Sequence, residues 1–465
     1  MVAESMIRFA PHDRSQPFLL PPDLKDWVPE DDLVHFVVAA VERVDMSAFK
    51  VNARGSGSEQ YHPRVMLALV IYCYANGIFS SRRIERATHR DVGVRFVAAN
   101  THPDHDTVCA FRRENGAAIE DCFVKVLELA RELKLLKVGI VSVDGTKIDA
   151  NANKHKSVRV VSKTRFQHDD RAVELREQSR LEIAGLMAEA EAADTSGEAD
   201  AQALPAEIAR RETLRAKLDA ACQRMEAEAK VRADAERADY ERRKAVYEER
   251  NKAGRPPSPP SDTPPPGAQS NLTDPDSRIM RKSKRSEYRQ SYNAQAAVDA
   301  DGSQLVLGVG VSQCAADANE LVPTVGAIAA SVGAPTCVLA DSGYATGDEV
   351  AELERRGMEV LVATRGDARR KPHDFRPTRD DKPAVEPKAE WLKAMKAKLE
   401  QAEARAKYKL RKQTVEPVFG IIKQGLGFRQ FLLRGIGNVR LEWRLVTLAY
   451  NMKRLHRLRA TTLTA

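Results

Sequence analysis

The chain has little that would place it outside the cell or in a membrane. Its six cysteines, Cys73, Cys109, Cys122, Cys222, Cys314 and Cys337, stand far apart, and no CxxC pair occurs. Neither a disulfide framework nor a zinc site is suggested, and reduced cytosolic thiols fit best. The opening MVAESMIRFAPHDR lacks the apolar core of a secretory signal. The longest apolar run, Val65 to Tyr74, is too short to span a bilayer. A soluble cytoplasmic protein with no membrane partner is expected. Charge is modest too: 74 Lys and Arg against 66 Asp and Glu leave a formal +8. That excess permits a polyanionic partner without requiring one.

At 465 residues the chain is too long for one core, so two or three domains are expected. Residues 1–136 read as helices with short polar breaks. Leu33, Phe36, Val37, Ala40 and Val41 recur at helical spacing behind Pro29, Glu30, Asp31 and Asp32. A strongly apolar helix runs from Pro63 to about Ala75 and stops at Asn76-Gly77. Ser80 or Ser81 can cap SSRRIERATHRD, and Asp106 can cap DTVCAFRREN. Short helices bearing Arg82, Arg83, Arg112 and Arg113 suit a helix-turn-helix module laid on DNA. Taken alone, they suit an ordinary helical bundle with a solvated basic face better. A longer helix, Ala117 to Leu136, follows.

Val138 to Val143 is then a nearly continuous apolar run, as in a strand buried on both faces, and it ends on Asp144-Gly145. Alone, that pair reads as an ordinary turn. A second strand of the same design, Thr336 to Ala340, runs into Asp341. Side by side, two such strands would put both carboxylates on one metal ion.

Between them the composition shifts. Residues 166–253 are rich in Ala, Glu, Arg and Lys, broken near Asp194 to Pro205, with sparse apolar residues at helical spacing. Leu175, Ile183 and Leu186 mark one arm and Leu214, Leu218, Cys222 and Met225 the other, so a helical hairpin is expected. A Pro-rich linker covers 254–269, and a second charged insert 366–407. Between these inserts NAQAAVDADGSQLVLGVGV reads as a strand hairpin turning at Asp301-Gly302. Helices are expected over Asn319–Ser331 and Gly347–Arg356, and a strand over Glu359–Ala363. Helices are also expected over Val415–Gln424, carrying Glu416, and from about Asn438 to Leu458. The final basic helix takes in 436–465.

With the insert removed, the order is strand, hairpin, helix, strand, helix, strand, helix. It matches an α/β, RNase H-like mixed-sheet core over 137–165 and 270–435, preceded by an all-α N-terminal domain. In that architecture acids sit on the first strand, at the end of the fourth and on a later helix. Asp144, Asp341 and Glu416 fall at those places.

The segments YHPRVMLALVIYCYANGIFSSRRIERA, HDTVCAFRREN, VDGTKIDANANK, DPDSRIMR, YNAQAAVD, LADSGY and VEPVFGIIKQGLGFRQFLLRG occur in that order. Together they resemble a bacterial insertion-sequence DDE transposase, of the branch with an all-helical N-terminal transposase domain. The resemblance implies Asp144, Asp341 and Glu416 as catalytic and metal-binding acids. It implies two Mg2+ ions, with Mn2+ able to substitute, and double-stranded DNA as partner, at element ends and at the target. A homodimer or higher oligomer working on DNA at the nucleoid is expected. Lys423 matches the DNA-contacting lysine of the signature helix, and Lys147 joins the expected DNA contacts. Tyr408 and Arg411 resemble the Tyr and Arg that precede the Glu, at a spacing one residue longer than in the best-defined group. Asp149, Asp274 and Asp276 lie near family motifs and read as structural or supporting. Two alternatives stand beside this reading: an RNase H-like nuclease without strand transfer, and a non-catalytic DNA-binding relic. Glu320 and Glu386 are the substitutes should Glu416 not be the third acid.

Overall fold

In a computed structural model the structure describes residues 23–51, 60–153, 157–159, 203–249, 256–265, 268–282, 286–364 and 389–464. Contacts divide the chain into two units, Met1–Ala118 and Ile119–Ala465. The first holds α1 (Leu33–Val41), α2 (Pro63–Ala75), α3 (Ser81–Arg90), α4 (Val92–Val97) and α5 (His105–Glu114). Aspartate caps start three of these. Asp32, Asp91 and Asp104 accept from the backbone N–H of Val34, Val94 and Thr107, which satisfies donors that a helix start leaves orphaned. The cap of α5 is thus Asp104, two residues before the expected Asp106. Helix α2, with Pro at its first position, is buried from Met66 to Ala75 and forms the axis of this unit.

Helix α6 (Gly116–Glu132) leads into the second unit. There β1 (Ile140–Asp149) lies at the centre of a six-stranded mixed sheet among the described residues. A ribbon of β2 (Ser157–Arg159) and β3 (Gln269–Asn271) stands apart, with the long helix α7 (Ala203–Glu249) between them in sequence. Then follow β4 (Arg278–Arg281), β5 (Tyr288–Asp299), β6 (Val306–Ser312), α8 (Leu321–Gly326), β7 (Cys337–Ala340), α9 (Gly347–Arg355) and β8 (Glu359–Val362). The chain ends in α10 (Glu390–Glu400), α11 (Ala402–Gly420) and α12 (Ile436–Thr464). Strand β5 runs antiparallel to β1 and carries both β4 and β6 on its other side. Strands β7 and β8 run parallel beyond β1. The order β6-β5-β1-β7-β8, three antiparallel strands and two parallel ones, is that of an RNase H-like core.

Burial follows from this layout. Val141, Val143, Val338, Leu339, Val360 and Leu361 have no exposed surface, each contributing ~1.5–3 kcal/mol over an exposed position. Helix α12 covers β6, where Asn451 bonds both the N–H and the C=O of Val306 and so satisfies backbone groups along that strand.

Strand β1 does not end at Asp144. It stays paired with β5 as far as Asp149, while its pairing with β7 stops at Ser142. The expected Asp-Gly turn is therefore a mid-strand step. The expected helix over Asn319–Ser331 shrinks to α8. The last helix, Ile436–Thr464, runs beyond the periodic stretch Asn438–Leu458 on both sides and stays within 436–465. Of the helical hairpin, the first arm lies outside the described residues. The second arm is α7, and its Leu218, Cys222 and Met225 pack against Ala268 and Leu272. Leu214 lies outside the described side chains.

Candidate active site

Extending the β1–β7 register by two residues beyond Ser142↔Leu339 brings Asp144 level with Asp341. Each carboxylate is fixed by a local backbone donor. Asp144 Oδ1 accepts from the Gly145 N–H at 2.8 Å, and Asp341 Oδ1 from the Gly343 N–H at 2.7 Å. The Asp144 side chain is only 17% exposed. Burial, and then the nearby Asp341 charge, push its carboxyl up to about 6, against the pull of the Gly145 N–H and Arg411.

Helix α11 supplies the other side of the site. It is anchored across the ends of β7 and β8. Tyr408 Oη donates to the carbonyl of Ala340, the residue before Asp341, at 3.1 Å. Lys407 pairs with Glu359 at 3.0 Å. One turn on, Arg411 lies between two acids, its Nη1 3.6 Å from Asp144 Oδ2 and its Nη2 3.6 Å from Glu416 Oε1. These are ion pairs rather than hydrogen bonds at that length. Arg411 Nε is buried without a partner among the described residues. Glu416 is brought to the site, yet its side chain is 54% exposed and turned onto Arg411.

Pro417 follows Glu416 inside α11 and removes one helical N–H. The carbonyl four residues back, on Gln413, instead accepts from Gln304 Nε2. The helix then widens into a π-turn over Ile421–Gly425, a distortion often found at functional sites. This turn carries Lys423, whose Nζ donates to Thr146 Oγ1 of β1. Burial first, then the Lys282 charge, lower its ammonium to about 8, while Asp149 and Asp144 pull the other way. Asp144 and Thr146 thus share the face of β1 under α11.

The opposite face holds an acid that the sequence did not single out. Asp317, between β6 and α8, accepts from Asn293 Nδ2 at 2.8 Å and Gln295 Nε2 at 3.0 Å. A methyl on Gly145 would come within 2.5 Å of Asp317 Oδ1 and of Gln295 Nε2, and one on Gly343 within 2.9 Å of Asp341 Oδ1 and 3.3 Å of Asp317 Oδ2. Two glycines therefore make room for this carboxylate beside Asp144 and Asp341. Its segment, QCAADANE, has no periodicity, and only contact with both glycines identifies it.

Lys147 is half-buried on β1. Asp149 pairs with Lys282 at 3.0 Å and Arg289 at 3.2 Å. Asp274 accepts from Tyr292 Oη and the Gly435 N–H, and Asp276 from the Ile436 N–H. Both hold the start of α12. Glu320 lines a separate cavity of about 210 Å³ with Thr324, Arg440 and Arg444, and Glu386 lies outside the described residues.

In the first unit Arg82, Arg83 and Arg113 are exposed. Arg112 is not. It is 3% exposed, and its guanidinium donates to Tyr74 Oη, Phe79 O and Cys109 Sγ. The expectation that Arg112 contacts DNA is corrected: packing of α5 on α2 turns it inward.

Among the described residues no group of three or more His, Cys, Asp or Glu side chains is already arranged to hold a metal ion. The donor set nevertheless fits a hard cation. Asp144 and Asp341 offer carboxylate oxygens, and burial first, then the Asp341 charge, raise Asp144. Glu416 is instead paired with Arg411. No described helix is long and apolar enough to cross a membrane.

Two family models match the chain: a transposase DDE domain over residues 263–452 and a transposase domain of the DUF772 type over residues 22–114. Asp341 and Glu416 lie inside the first of these, and β1 with Asp144 lies ahead of it. No curated protein and no solved structure matches. With both transposase domains present in this order, the chain belongs to the insertion-sequence DDE transposases that carry an N-terminal transposase domain.

Proposed function

We propose that the chain binds the terminal inverted repeats of its element and catalyses metal-dependent DNA strand cleavage and strand transfer through Asp144, Asp341 and Glu416. The observation that carries this reading is the β1–β7 register, which levels Asp144 with Asp341, while Arg411 links Asp144 to Glu416. Asp144 and Asp341 are the fixed oxygen ligands, and Glu416 is the movable one. Two magnesium ions, or manganese in their place, would activate water or a 3′-hydroxyl and stabilise charge on the leaving oxygen. Arg411, freed from the two acids, has its donors available for a DNA phosphate, and Lys423 and Lys147 flank the same strand. Arg82, Arg83 and Arg113 present charge to the phosphates of the repeats.

Duplexes carrying the element's ends test this reading. With Mg2+ the protein should cleave them and join the new 3′ ends to target DNA. Cleavage without joining would reduce it to a nuclease. Equal activity in a chelator would remove the metal-dependent mechanism.

A further inference from the structure

Asp317 does more than add charge near the catalytic acids. Its Oδ1 accepts from two side-chain amides on one face of β5, Asn293 and Gln295, which are 1% and 0% exposed. A carboxylate only accepts, so Gln295 must turn its Nε2 toward Asp317 and its Oε1 the other way. That Oε1 accepts from the hydroxyl of Tyr344, which is fully buried. Tyr344 closes the short 3-10 turn Ser342–Tyr344, whose cap is Asp341. Its N–H donates to the Asp341 carbonyl at 3.2 Å. The backbone of Gln295 is itself held by Trp443 Nε1, which donates to its carbonyl at 2.9 Å. A directed chain of hydrogen bonds, half-buried at Asp317 and buried at Tyr344, therefore runs from Asp317 through Gln295 to the turn that aims Asp341.

The close approaches fit the same picture. Asp317 lies over Gly145, the residue after Asp144, and over Gly343, within the turn of Asp341. A Cβ at Gly145 would stand 2.5 Å from both Asp317 Oδ1 and Gln295 Nε2, and one at Gly343 would crowd Asp341 Oδ1 at 2.9 Å and Asp317 Oδ2 at 3.3 Å. Neither glycine has positive φ, so room for the packed Asp317, Gln295 and Asp341 side chains, and not backbone conformation, calls for glycine there.

The geometry points to Asp317 as a positioning residue: through Gln295 and Tyr344 it holds the Asp341 carboxylate in the orientation that receives a divalent cation. This inference rests on the metal-dependent reading above. Groups that orient metal ligands without touching the metal typically change affinity by about 10–100-fold when removed.

Mn2+ binding, followed by calorimetry and by electron paramagnetic resonance, tests the role alongside Mn2+-dependent cleavage. Asp317→Ala and Tyr344→Phe should each raise the half-saturating Mn2+ concentration by about 10–100-fold. Both should recover most of the turnover once Mn2+ is saturating. Asp317→Asn keeps an oxygen that accepts from both amides and should stay within a few-fold of wild type. Melting in chelator checks that each variant folds, and if Asp317→Ala does not, Tyr344→Phe alone decides. Unchanged Mn2+ affinity in the folded variants overturns the inference, with the metal reading intact if wild type binds Mn2+ and cleaves. Equal loss in Asp317→Asn and Asp317→Ala also overturns it, because charge and not the hydrogen-bond chain would then be responsible. A wild-type protein that binds no Mn2+ refutes the metal reading itself.

Discussion

Replacing Asp144 with Asn separates the stability of the site from its chemistry. The rise of the Asp144 carboxyl from 3.8 to about 6 corresponds to ~3 kcal/mol, at about 1.36 kcal/mol per pH unit. A raised pKa means that the folded state holds the proton more tightly than the unfolded one. The cost of the charged form is therefore absent below pH 3.8, grows up to about pH 6, and is complete above it. Asn keeps the acceptor for the Gly145 N–H and carries no charge. Its one loss is the Arg411 contact at 3.6 Å, which offsets part of the gain. In chelator at pH 7.5, Asp144→Asn should thus be more stable than wild type by ~1–2 kcal/mol. The difference should vanish near pH 4. Divalent metal reverses the order. At about 100 times its Kd it should stabilise wild type by ~2.7 kcal/mol and the variant far less. Calorimetric melting of the catalytic unit reads all three. An Asn variant that melts below wild type by the same margin at both pH values would refute the reasoning, because Asp144 would then be held by favourable partners.

Other consequences follow the same geometry. Lys423→Met should weaken DNA binding and lower the salt dependence by about one phosphate contact, as read by binding titrations at several salt concentrations. Because the ammonium of Lys423 is lowered to about 8, wild-type stability from this group should increase from about pH 8 to 10.5, and that slope should be missing in Lys423→Met. Arg112→Ala should destabilise the N-terminal unit by ~2–4 kcal/mol, since it strands buried acceptors. Arg82→Ala and Arg83→Ala should change stability by less than ~0.5 kcal/mol while reducing affinity for the repeats. Leu218→Ala should loosen α7 at a cost of ~2–5 kcal/mol locally. The melting of the sheet should stay cooperative, and a collapse of the whole transition would make the insert part of the core.

Much of the fold was legible because apolar runs and helical spacing report burial. The apolar stretches of β1 up to Val143 and of β7 up to Ala340, and the helix of Glu416, are all recognisable that way. The end of β1 was misjudged for a physical reason. Its second half, Asp144 to Lys147, borders a site instead of a core, so hydrophobicity falls while the strand continues along β5. Arg112 shows a different limit. Spacing places it on a helix, but only the packing of α5 on α2 decides which face is inside. Asp317 was invisible because its meaning lies in contacts with Gly145 and Gly343, distant in sequence. Lys423 was found through its motif, whereas its bond to Thr146 and its lowered ammonium emerge only from the π-turn.

Iron-directed cleavage gives the most direct test that Asp144, Asp341 and Glu416 form one metal centre. Fe2+ in place of Mg2+, with ascorbate and peroxide, cuts the protein backbone beside the bound ion. Wild type bound to end DNA should be cut near residues 144, 341 and 416, with the cuts suppressed by excess Mg2+. Each of Asp144→Asn, Asp341→Asn and Glu416→Gln should weaken all three cuts together. Cuts at 144 and 341 that persist unchanged in Glu416→Gln, or cuts clustered elsewhere, would contradict the three-acid centre.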